Sequence, residues 1–373
     1  VGRGMEGRFW FASSYAEAAG RFLIACDDLR DAGHSVVSQR LEIGMKGPAD
    51  EPLCIDVAIV GSLDSGKVLL STSGVHGVEG YPGSAIQLAI MSDLCEQDAF
   101  SDHAIIFIHA INPYGMAWWR RFNENNVDLN RNFLTEEQSY SGFAEGYEKI
   151  RRFINPESPP PKKERWFKLK SLRYIYKYGF NNLKQWIAEG QFEYPRAIQY
   201  GGSELQPGPE LLLNFLDSTL DGVNEIWAID LHTGLGPSGH DTLLVSPGMT
   251  EVDFSHLDKL FPGHVEGLDP NAGVGYQIIG DLHQGLEGRY SDKKWTCVTQ
   301  EFGTFKPLDV LIATRAENRW TQYGNYYNDI EAKRHWSRQN MLEAFNPKDA
   351  VWQAKITSRG RSVFNIARAD LLS

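Results

Sequence analysis

The apolar residues of this chain form short runs and longer segments with a helical period. Six segments have the composition of strands, and they lie at residues 35–43, 53–60, 68–72, 104–110, 225–231 and 295–302. The first alternates apolar and polar residues, whereas those at 68–72, 104–110 and 225–231 are largely apolar. The largely apolar runs are typical of strands that are covered on both faces of a sheet.

Helical segments separate most of these strands. A capping box at residues 14–17 starts a helix that ends near Gly33, and helical patterns also occur at 84–94, at 210–220 and from Leu308 onwards. The alternation predicts an α/β fold, with a mixed, mostly parallel twisted sheet and helices on both faces. In such sheets the active residues cluster in the loops beyond the carboxyl ends of the strands.

We expect residues 1–373 to form a single domain with one insertion, at about 134–208. A proline-rich break interrupts this segment, and residues 151–177 hold nine basic residues against two acidic ones. An amphipathic helix around 166–176 forms either a lid on the sheet or a solvated basic face. From about residue 347 the chain has mixed charge and no assignment, and we treat it as a C-terminal tail.

The composition disfavours several classes of protein. The net charge is −11, whereas proteins that bind nucleic acid or anionic membranes are normally basic, so neither partner is expected. The four cysteines lie far apart without a Cys-x-x-Cys motif, which favours buried free thiols. The sequence contains no apolar run long enough to span a bilayer and no signal peptide, so a cytoplasmic location is expected.

A glycine-rich stretch, SGVHGVEG at residues 73–80, follows the strand at 68–72 and precedes a helical segment. His76 and Glu79 on this turn can reach one cation. Zinc favours such ligands, and a catalytic zinc site adds a third protein ligand and leaves one position for water. The alternative is that His76 only caps the turn or packs against it.

Other strands are also followed by polar residues. The loop at 118–133 contains three arginines and several side-chain amides, which form either an anion-binding surface or ordinary turns. His232 directly follows the strand at 225–231. Glu301 lies near the end of the strand at 295–302, where an unpaired buried carboxylate is costly and needs a partner or a function.

Four motifs occur in a fixed order, namely His-x-x-Glu at 76–79, Asp-Leu-Asn-Arg-Asn-Phe at 128–133, His-Thr-Gly at 232–234 and Glu-Phe-Gly at 301–303. This order resembles the zinc carboxypeptidases, which are the M14 metallopeptidases. It is most similar to their bacterial branch named for a domain of unknown function, DUF2817, and the sequence SGVHGVEGYPGSAIQ matches that branch best. The resemblance covers nearly the whole chain outside the insertion and the tail.

The resemblance implies a metal site with one Zn²⁺ per chain. His76, Glu79 and His232 would be its ligands, which is a known catalytic zinc set. Asp128 would accept a hydrogen bond from the second ring nitrogen of His76 and thereby fix its tautomer.

The resemblance also implies which residues act on the substrate. Asn130 and Arg131 would hold a terminal carboxylate of the substrate. Arg121 would polarise the scissile carbonyl and stabilise the oxyanion, with the adjacent Arg120 as the second choice. Glu301 would be the general base that takes a proton from water and later delivers it to the leaving amine.

The sequence departs from the family at one position. Where the family carries a mobile tyrosine upstream of the base, this chain has His283, with Tyr276 and Tyr290 nearby. We place His283 and Tyr276 among the expected substrate-binding residues and keep Tyr290 as a third candidate.

Three functions are compatible with these expectations. The first is a carboxypeptidase, which hydrolyses an amide bond next to a free carboxylate of a peptide. The second is an amidase or deacylase of a small acylated amino acid or a cell-wall peptide. The third is a non-catalytic module that binds a metal or a peptide, although such a module would most simply have lost Glu301 or Arg121. A serine hydrolase is disfavoured because the sequence has no Gly-x-Ser-x-Gly motif.

Overall fold

One eight-stranded sheet organises the computed structural model, which describes residues 9–164, 166–246, 248–267 and 278–373. The strands are β1 (Val36–Lys46), β2 (Pro52–Gly61), β3 (Lys67–Ser73), β4 (Ala104–His109), β5 (Glu225–Ser238), β6 (Asp241–Val245), β7 (Val265–Gly267) and β8 (Lys294–Gly303). Their order in the sheet is β1-β2-β4-β3-β5-β8-β6-β7.

The centre of the sheet is parallel, and antiparallel pairs lie towards its edges. Strands β4, β3, β5 and β8 run parallel to one another, whereas β1 with β2, β2 with β4, and β6 with β8 are antiparallel. Every residue of β4 is buried, which explains its continuous apolar composition. The predicted mixed, mostly parallel sheet is therefore confirmed.

Most of the helices connect these strands or follow the last one. They are α1 (Tyr15–Asp31), α2 (Gly80–Cys95), α3 (Pro113–Trp118), α4 (Tyr147–Ile154), α5 (Phe167–Tyr178), α6 (Phe180–Ala188), α7 (Pro207–Thr219), α8 (Glu251–Leu260), α9 (Leu282–Arg289), α10 (Pro307–Tyr323), α11 (Asp329–Arg334), α12 (Trp336–Phe345) and α13 (Ala350–Leu371). None of the helices within the described ranges has the length and apolarity needed to cross a membrane.

Helices cover both faces of the sheet, as the alternation of elements predicts. On one face, α1, α2 and α13 contribute Phe22, Met91 and Phe364 to a shared apolar core. On the other face, α7 and α9 contribute Leu216 and Leu286 to a second core. Consecutive residues of β4 enter the two cores alternately, so this central strand is covered on both sides.

The C-terminal segment is a core helix rather than a tail. The carboxylate of Asp349 accepts hydrogen bonds from the backbone N–H groups of Val351 and Trp352 and so caps the start of α13. The side chains of Trp352 and Val363 lie in the core on the α1 face of the sheet. Charged residues are interspersed among these apolar positions, which is why the sequence alone left the segment unassigned.

Strand β5 is longer than the sequence predicts. The apolar run ends at Leu231, but the strand continues to Ser238 because β8 pairs with it as far as Gly303. His232 therefore lies within a strand and not in the loop that follows it. Strands β6 and β7 and helix α8 were not predicted at all.

The insertion contains three helices, α4, α5 and α6, where the sequence predicts one around 166–176. Their side chains form an apolar cluster that also includes Phe122 and Leu311 from outside the insertion. Arg315 of α10 donates hydrogen bonds to the carbonyls of Phe153 and Ile154, at 2.9 and 2.7 Å. The insertion is therefore fastened to the rest of the domain through α10.

The turn after β3 touches α3 backbone to backbone, and this contact generates a stability prediction. A Cβ on Gly77 would lie 2.1 Å from the carbonyl carbon of Gly115. We expect Gly77→Ala to lower the free energy of unfolding by about 1–3 kcal/mol, because neither backbone can yield easily. Gly20→Ala in α1 is the control, since a Cβ there meets nothing within 4 Å. Urea denaturation measures both, and equal stability of the two variants would contradict the contact.

Candidate metal centre

The turn after β3 brings two candidate ligands to the carboxyl end of the parallel sheet. Gly74 has a φ of 68°, which favours glycine, and the 3-10 turn Gly77–Glu79 then leads into α2. Two backbone N–H groups of this turn donate to the carbonyls of Arg120 and Arg121, at 3.0 and 3.1 Å. The turn is thereby fixed to the polar loop that follows β4.

His76, Glu79 and His232 form a buried group whose side chains are at most 4% exposed. One ligand atom from each residue lies within 4.8 Å of the others. Nδ1 of His76 is 2.9 Å from one carboxylate oxygen of Glu79, and Nδ1 of His232 is 3.2 Å from the other. Two residues of the turn after β3 and one residue of the adjacent strand β5 thus form a group that could hold one metal ion.

Two aspartates orient the imidazoles through the ring nitrogens that face away from Glu79. Nε2 of His76 lies 3.0 Å from Asp128, and Nε2 of His232 lies 2.6 Å from Asp230. Metal-binding histidines typically donate their second ring N–H to a carboxylate in this way. The contact of Asp128 agrees with the role that the resemblance implies. Asp230 was not predicted, although its position two residues before His232 on one strand places both side chains on the same face.

The unpaired nitrogen of His76 provides a test of whether these residues fit a metal. Its Nδ1 is buried and makes no hydrogen bond to any described residue, although an oxygen of Glu79 is only 2.9 Å away. A close approach without hydrogen-bond geometry is expected of two ligands that share one ion. The donor set therefore fits a divalent metal.

The charges within the group compensate one another. Burial disfavours the ionised form of Glu79, but the imidazoles of His76 and His232 hold its pKa below the usual range. Burial likewise disfavours a charged His232, but Asp230 and Glu79 raise its pKa well above the ordinary value. Because a ligand imidazole must be neutral, metal binding here is coupled to proton release.

Arg121 lies against the same group and borders the adjacent cavity. It donates to Glu79 and to Asp128, both at 3.1 Å, and its Nη2 is 2.7 Å from Nε2 of His76. That Nε2 cannot donate to Asp128 and accept from Arg121 at the same time. A metal on Nδ1 would leave the proton on Nε2, which favours the bond from Nε2 to Asp128 over the bond from Arg121.

Glu301 borders the cavity next to the candidate ligands without belonging to the ligand group. It lies on β8 as the register partner of His232, and its Oε1 accepts a hydrogen bond of 2.8 Å from the backbone N–H of Leu235. Burial and the negative charge of Glu79 raise the pKa of Glu301 to about 7. A cation bound nearby would oppose this increase.

The structure places Asn130 at the cavity but directs Arg131 elsewhere. The guanidinium of Arg131 is fully buried and donates through Nε, at 3.0 Å, and Nη2 to the carbonyl of Ala188. Its Nη1 donates to the carbonyl of Asn130 at 2.8 Å. In this structure the guanidinium of Arg131 therefore binds backbone carbonyls, one of them from α6 of the insertion, instead of pointing into the cavity.

Two further candidates, Tyr290 and Arg120, have side chains that bind other residues in the described part of the chain. The hydroxyl of Tyr290 donates to Asp217 at 2.8 Å, beside the second core. Arg120 is paired with Glu317 at 2.8 Å, which makes it a buried structural ion pair rather than an oxyanion donor. Tyr276 lies outside the described residues.

His283 is buried on α9, and its side chain is not among those that border the cavity. Burial lowers its pKa to about 4, although the negative charge of Asp230 acts in the opposite direction. In the described structure His283 therefore lies near Asp230 and His232 rather than along the cavity wall, and its role in substrate binding stays a prediction.

A cavity of about 280 Å³ opens beside the candidate ligands. One end of it is polar and is lined by His76, Glu79, Arg121, His232 and Glu301. The remaining wall is mostly apolar, and much of it comes from α4, α5 and α6. The amphipathic pattern around 166–176 was the only sequence signal for this wall, and it did not show that the helix would face the site.

Comparisons with known proteins give a family and a set of distant structures. The family described as "Protein of unknown function (DUF2817)" matches residues 11–359. No curated protein matches this sequence.

Similar solved structures include bovine thrombin-activatable fibrinolysis inhibitor in complex with tick carboxypeptidase inhibitor, at 12% identity and a TM-score of 0.45, with 94% of this chain and 97% of that chain covered. Carboxypeptidase A from Helicoverpa armigera has 12% identity and a TM-score of 0.46, with 94% and 73% covered. Murein-tripeptide amidase from Escherichia coli O157 has 14% identity and a TM-score of 0.36, with 76% and 92% covered. Identities and scores this low do not transfer an activity to this chain.

The contact between Asp230 and His232 generates a prediction about metal affinity. We expect Asp230→Ala to weaken binding of a divalent metal by about 10- to 100-fold, because the imidazole loses the carboxylate that orients it. Competition with a chromophoric chelator measures this affinity.

The control is Asp241→Ala. Asp241 is also buried in the sheet, but it binds Gln300 and Arg359 rather than a candidate ligand. This variant should lose stability and keep its metal affinity. Equal metal affinities of Asp230→Ala and the parent protein would show that Asp230 does not support the site.

Proposed function

This chain belongs to the DUF2817 family, and within that family we propose that it is a zinc-dependent hydrolase of amide bonds. The observation that carries the proposal is the pair of Nδ1 atoms, from His76 and His232, that approach the carboxylate of Glu79. Two histidines and one glutamate form a known catalytic zinc set.

Zinc suits these ligands better than the harder divalent cations. Mg²⁺ and Ca²⁺ prefer oxygen ligands, whereas imidazole nitrogens suit zinc. When bound, zinc would supply Lewis acidity for the hydrolysis of a carbonyl group. The protein would contribute the orientation of the ligands, the general base and the cavity that positions the substrate.

Glu301 is the proposed general base. Its carboxylate borders the cavity, and the N–H of Leu235 holds one of its oxygens. In this role Glu301 takes a proton from the attacking water and delivers it to the nitrogen that leaves when the C–N bond breaks.

Arg121 is the proposed donor to the oxyanion, because it borders the cavity and already lies next to the ligand group. The Nη2 group of Arg121 lies 2.7 Å from Nε2 of His76, so the positive charge of the guanidinium would stabilise a negative charge that develops beside the ligand group. Asn130 borders the same cavity and is the proposed contact for a substrate carboxylate, without help from Arg131.

Two substrate classes fit this chemistry. One is a peptide with a free carboxylate next to the scissile bond, as in a carboxypeptidase. The other is a small acylated amino acid, and the mostly apolar wall of the cavity favours it because such a wall offers few partners for peptide backbone groups. A non-catalytic module is less well supported, since Glu301 and Arg121 both border the cavity.

The role of Glu301 is tested by Glu301→Gln, which keeps the shape of the side chain but cannot accept a proton. We expect the variant to fold, to retain zinc and to lose turnover of an N-acyl amino acid by about 10²–10⁴-fold. Glu225→Gln is the control, because Glu225 lies at the far end of β5 and pairs with Lys294. If Glu301→Gln loses stability but keeps its turnover, Glu301 is a structural residue and the mechanism is wrong.

The role of Arg131 is tested by comparing substrates with free and amidated carboxylates. We expect Arg131→Ala to lower stability by about 1.5–3 kcal/mol, because it removes charged hydrogen bonds to Ala188 and Asn130. The preference for free carboxylates should survive in this variant. A variant that keeps its melting temperature and loses the preference would instead assign the carboxylate to Arg131.

A further inference from the structure

The cavity beside the candidate metal centre continues beneath the insertion as a space with mostly apolar walls. Its lining from α4, α5 and α6 includes Ile150, Phe153, Phe167, Tyr174, Ile175 and Leu183. Helix α10 adds Leu308, Val310 and Leu311 to the same wall. The insertion thus contributes directly to the space next to the reacting groups.

Polar side chains also border the cavity, among them Lys184, Gln199 and Thr299, but they are a minority of its lining. The lining serine of α5 and the lining threonine of α10 use their hydroxyl hydrogens within their own helices. Ser171 donates to the carbonyl of Phe167 at 2.9 Å, and Thr314 donates to the carbonyl of Val310 at 3.1 Å. A peptide backbone in this part of the cavity would leave most of its N–H and C=O groups without partners, which is costly. A hydrocarbon chain has no polar groups that need partners, and its transfer from water into an apolar cavity is favourable in free energy.

The size of the cavity sets the approximate length of such a chain. Protein interiors contain few voids larger than a water molecule, so about 280 Å³ next to a polar site has the character of a ligand site. An apolar cavity of about 150 Å³ can hold a benzene molecule. The cavity here has nearly twice that volume in total, and its polar end has to receive the amino acid, so the remainder corresponds to a chain on the order of six to ten carbons.

We propose that the insertion forms a binding site for a hydrocarbon chain, and that the substrate is an amino acid N-acylated with a medium-length fatty acid. The proposal rests on the amide hydrolysis proposed above and adds the substrate class. In the reaction, the oxygen of water is added to the acyl carbon and the C–N bond breaks. The products are the fatty carboxylate and the free amino acid, whose nitrogen receives its proton from Glu301.

The first test measures binding separately from turnover. Calorimetry on zinc-loaded Glu301→Gln protein uses N-acyl-alanines whose chains range from acetyl to hexadecanoyl. We expect affinity to rise by up to about fourfold per methylene, to reach a maximum near decanoyl and then to fall. The N-acetylated dipeptide phenylalanyl-alanine should bind more weakly than N-decanoyl-alanine. Equal affinity for the acetyl and decanoyl compounds, or for the dipeptide and decanoyl compounds, would overturn the proposal.

The second test changes the wall of the cavity. Ile175→Trp fills the space and should shift the preferred chain to shorter lengths, whereas Ile175→Ala enlarges it and should shift the preference to longer ones. Leu172→Trp is the matched control on the same helix, because Leu172 is exposed and does not border the cavity. If Ile175→Trp does not fold, the alanine variant decides, and an unchanged chain-length maximum in it would contradict the proposal.

These results separate the two proposals. Chain-dependent binding without hydrolysis by the parent protein would retain the chain site and reject the hydrolase. Hydrolysis of N-acyl-alanines at rates and affinities independent of chain length would retain the hydrolase and reject the chain site.

Discussion

Burial of the Glu79 carboxylate is the constraint on which the rest of the site depends. A carboxylate that is 2% exposed must be paired, and here it meets two imidazoles, the guanidinium of Arg121 and the backbone N–H of Thr233 at 3.0 Å. The imidazoles are buried as well, so they need partners of their own, which are Asp128 and Asp230. Burial of Glu79 therefore requires the two imidazoles, and burial of the imidazoles requires the two aspartates. The group of paired charges extends over the turn after β3, the polar loop and β5.

The parallel sheet makes this arrangement possible. Adjacent parallel strands end at the same edge, so the turn after β3 and the register partners His232 and Glu301 come together there. The insertion contributes side chains to the cavity at that edge of the sheet. Its helix α6 binds Arg131 through Ala188, and its apolar side chains line the cavity next to the metal ligands. A residue that the motif assigns to substrate binding thus becomes the anchor of the insertion.

Much of this could be predicted from the sequence where the determinants are local. The apolar runs predicted the central strands, and the motif order predicted the DUF2817 family, and both predictions are confirmed. The roles of the site residues remain predictions, although His76, Glu79 and His232 do lie together. The failures have non-local causes. The length of β5 depends on its pairing with β8, the partner of Arg131 lies 57 residues away, and α13 shows its apolar face only when packed on the sheet.

The central claim is that one zinc ion is bound by Nδ1 of His76, Nδ1 of His232 and the carboxylate of Glu79. Anomalous diffraction at the zinc absorption edge, on crystals of zinc-loaded protein, tests it most directly. The account predicts one zinc peak at about 2.0–2.1 Å from both Nδ1 atoms and about 2.0–2.2 Å from an oxygen of Glu79. Asp128 and Asp230 should remain on the Nε2 atoms. A peak at Nε2 of either histidine, or no peak between these three residues, would contradict the account.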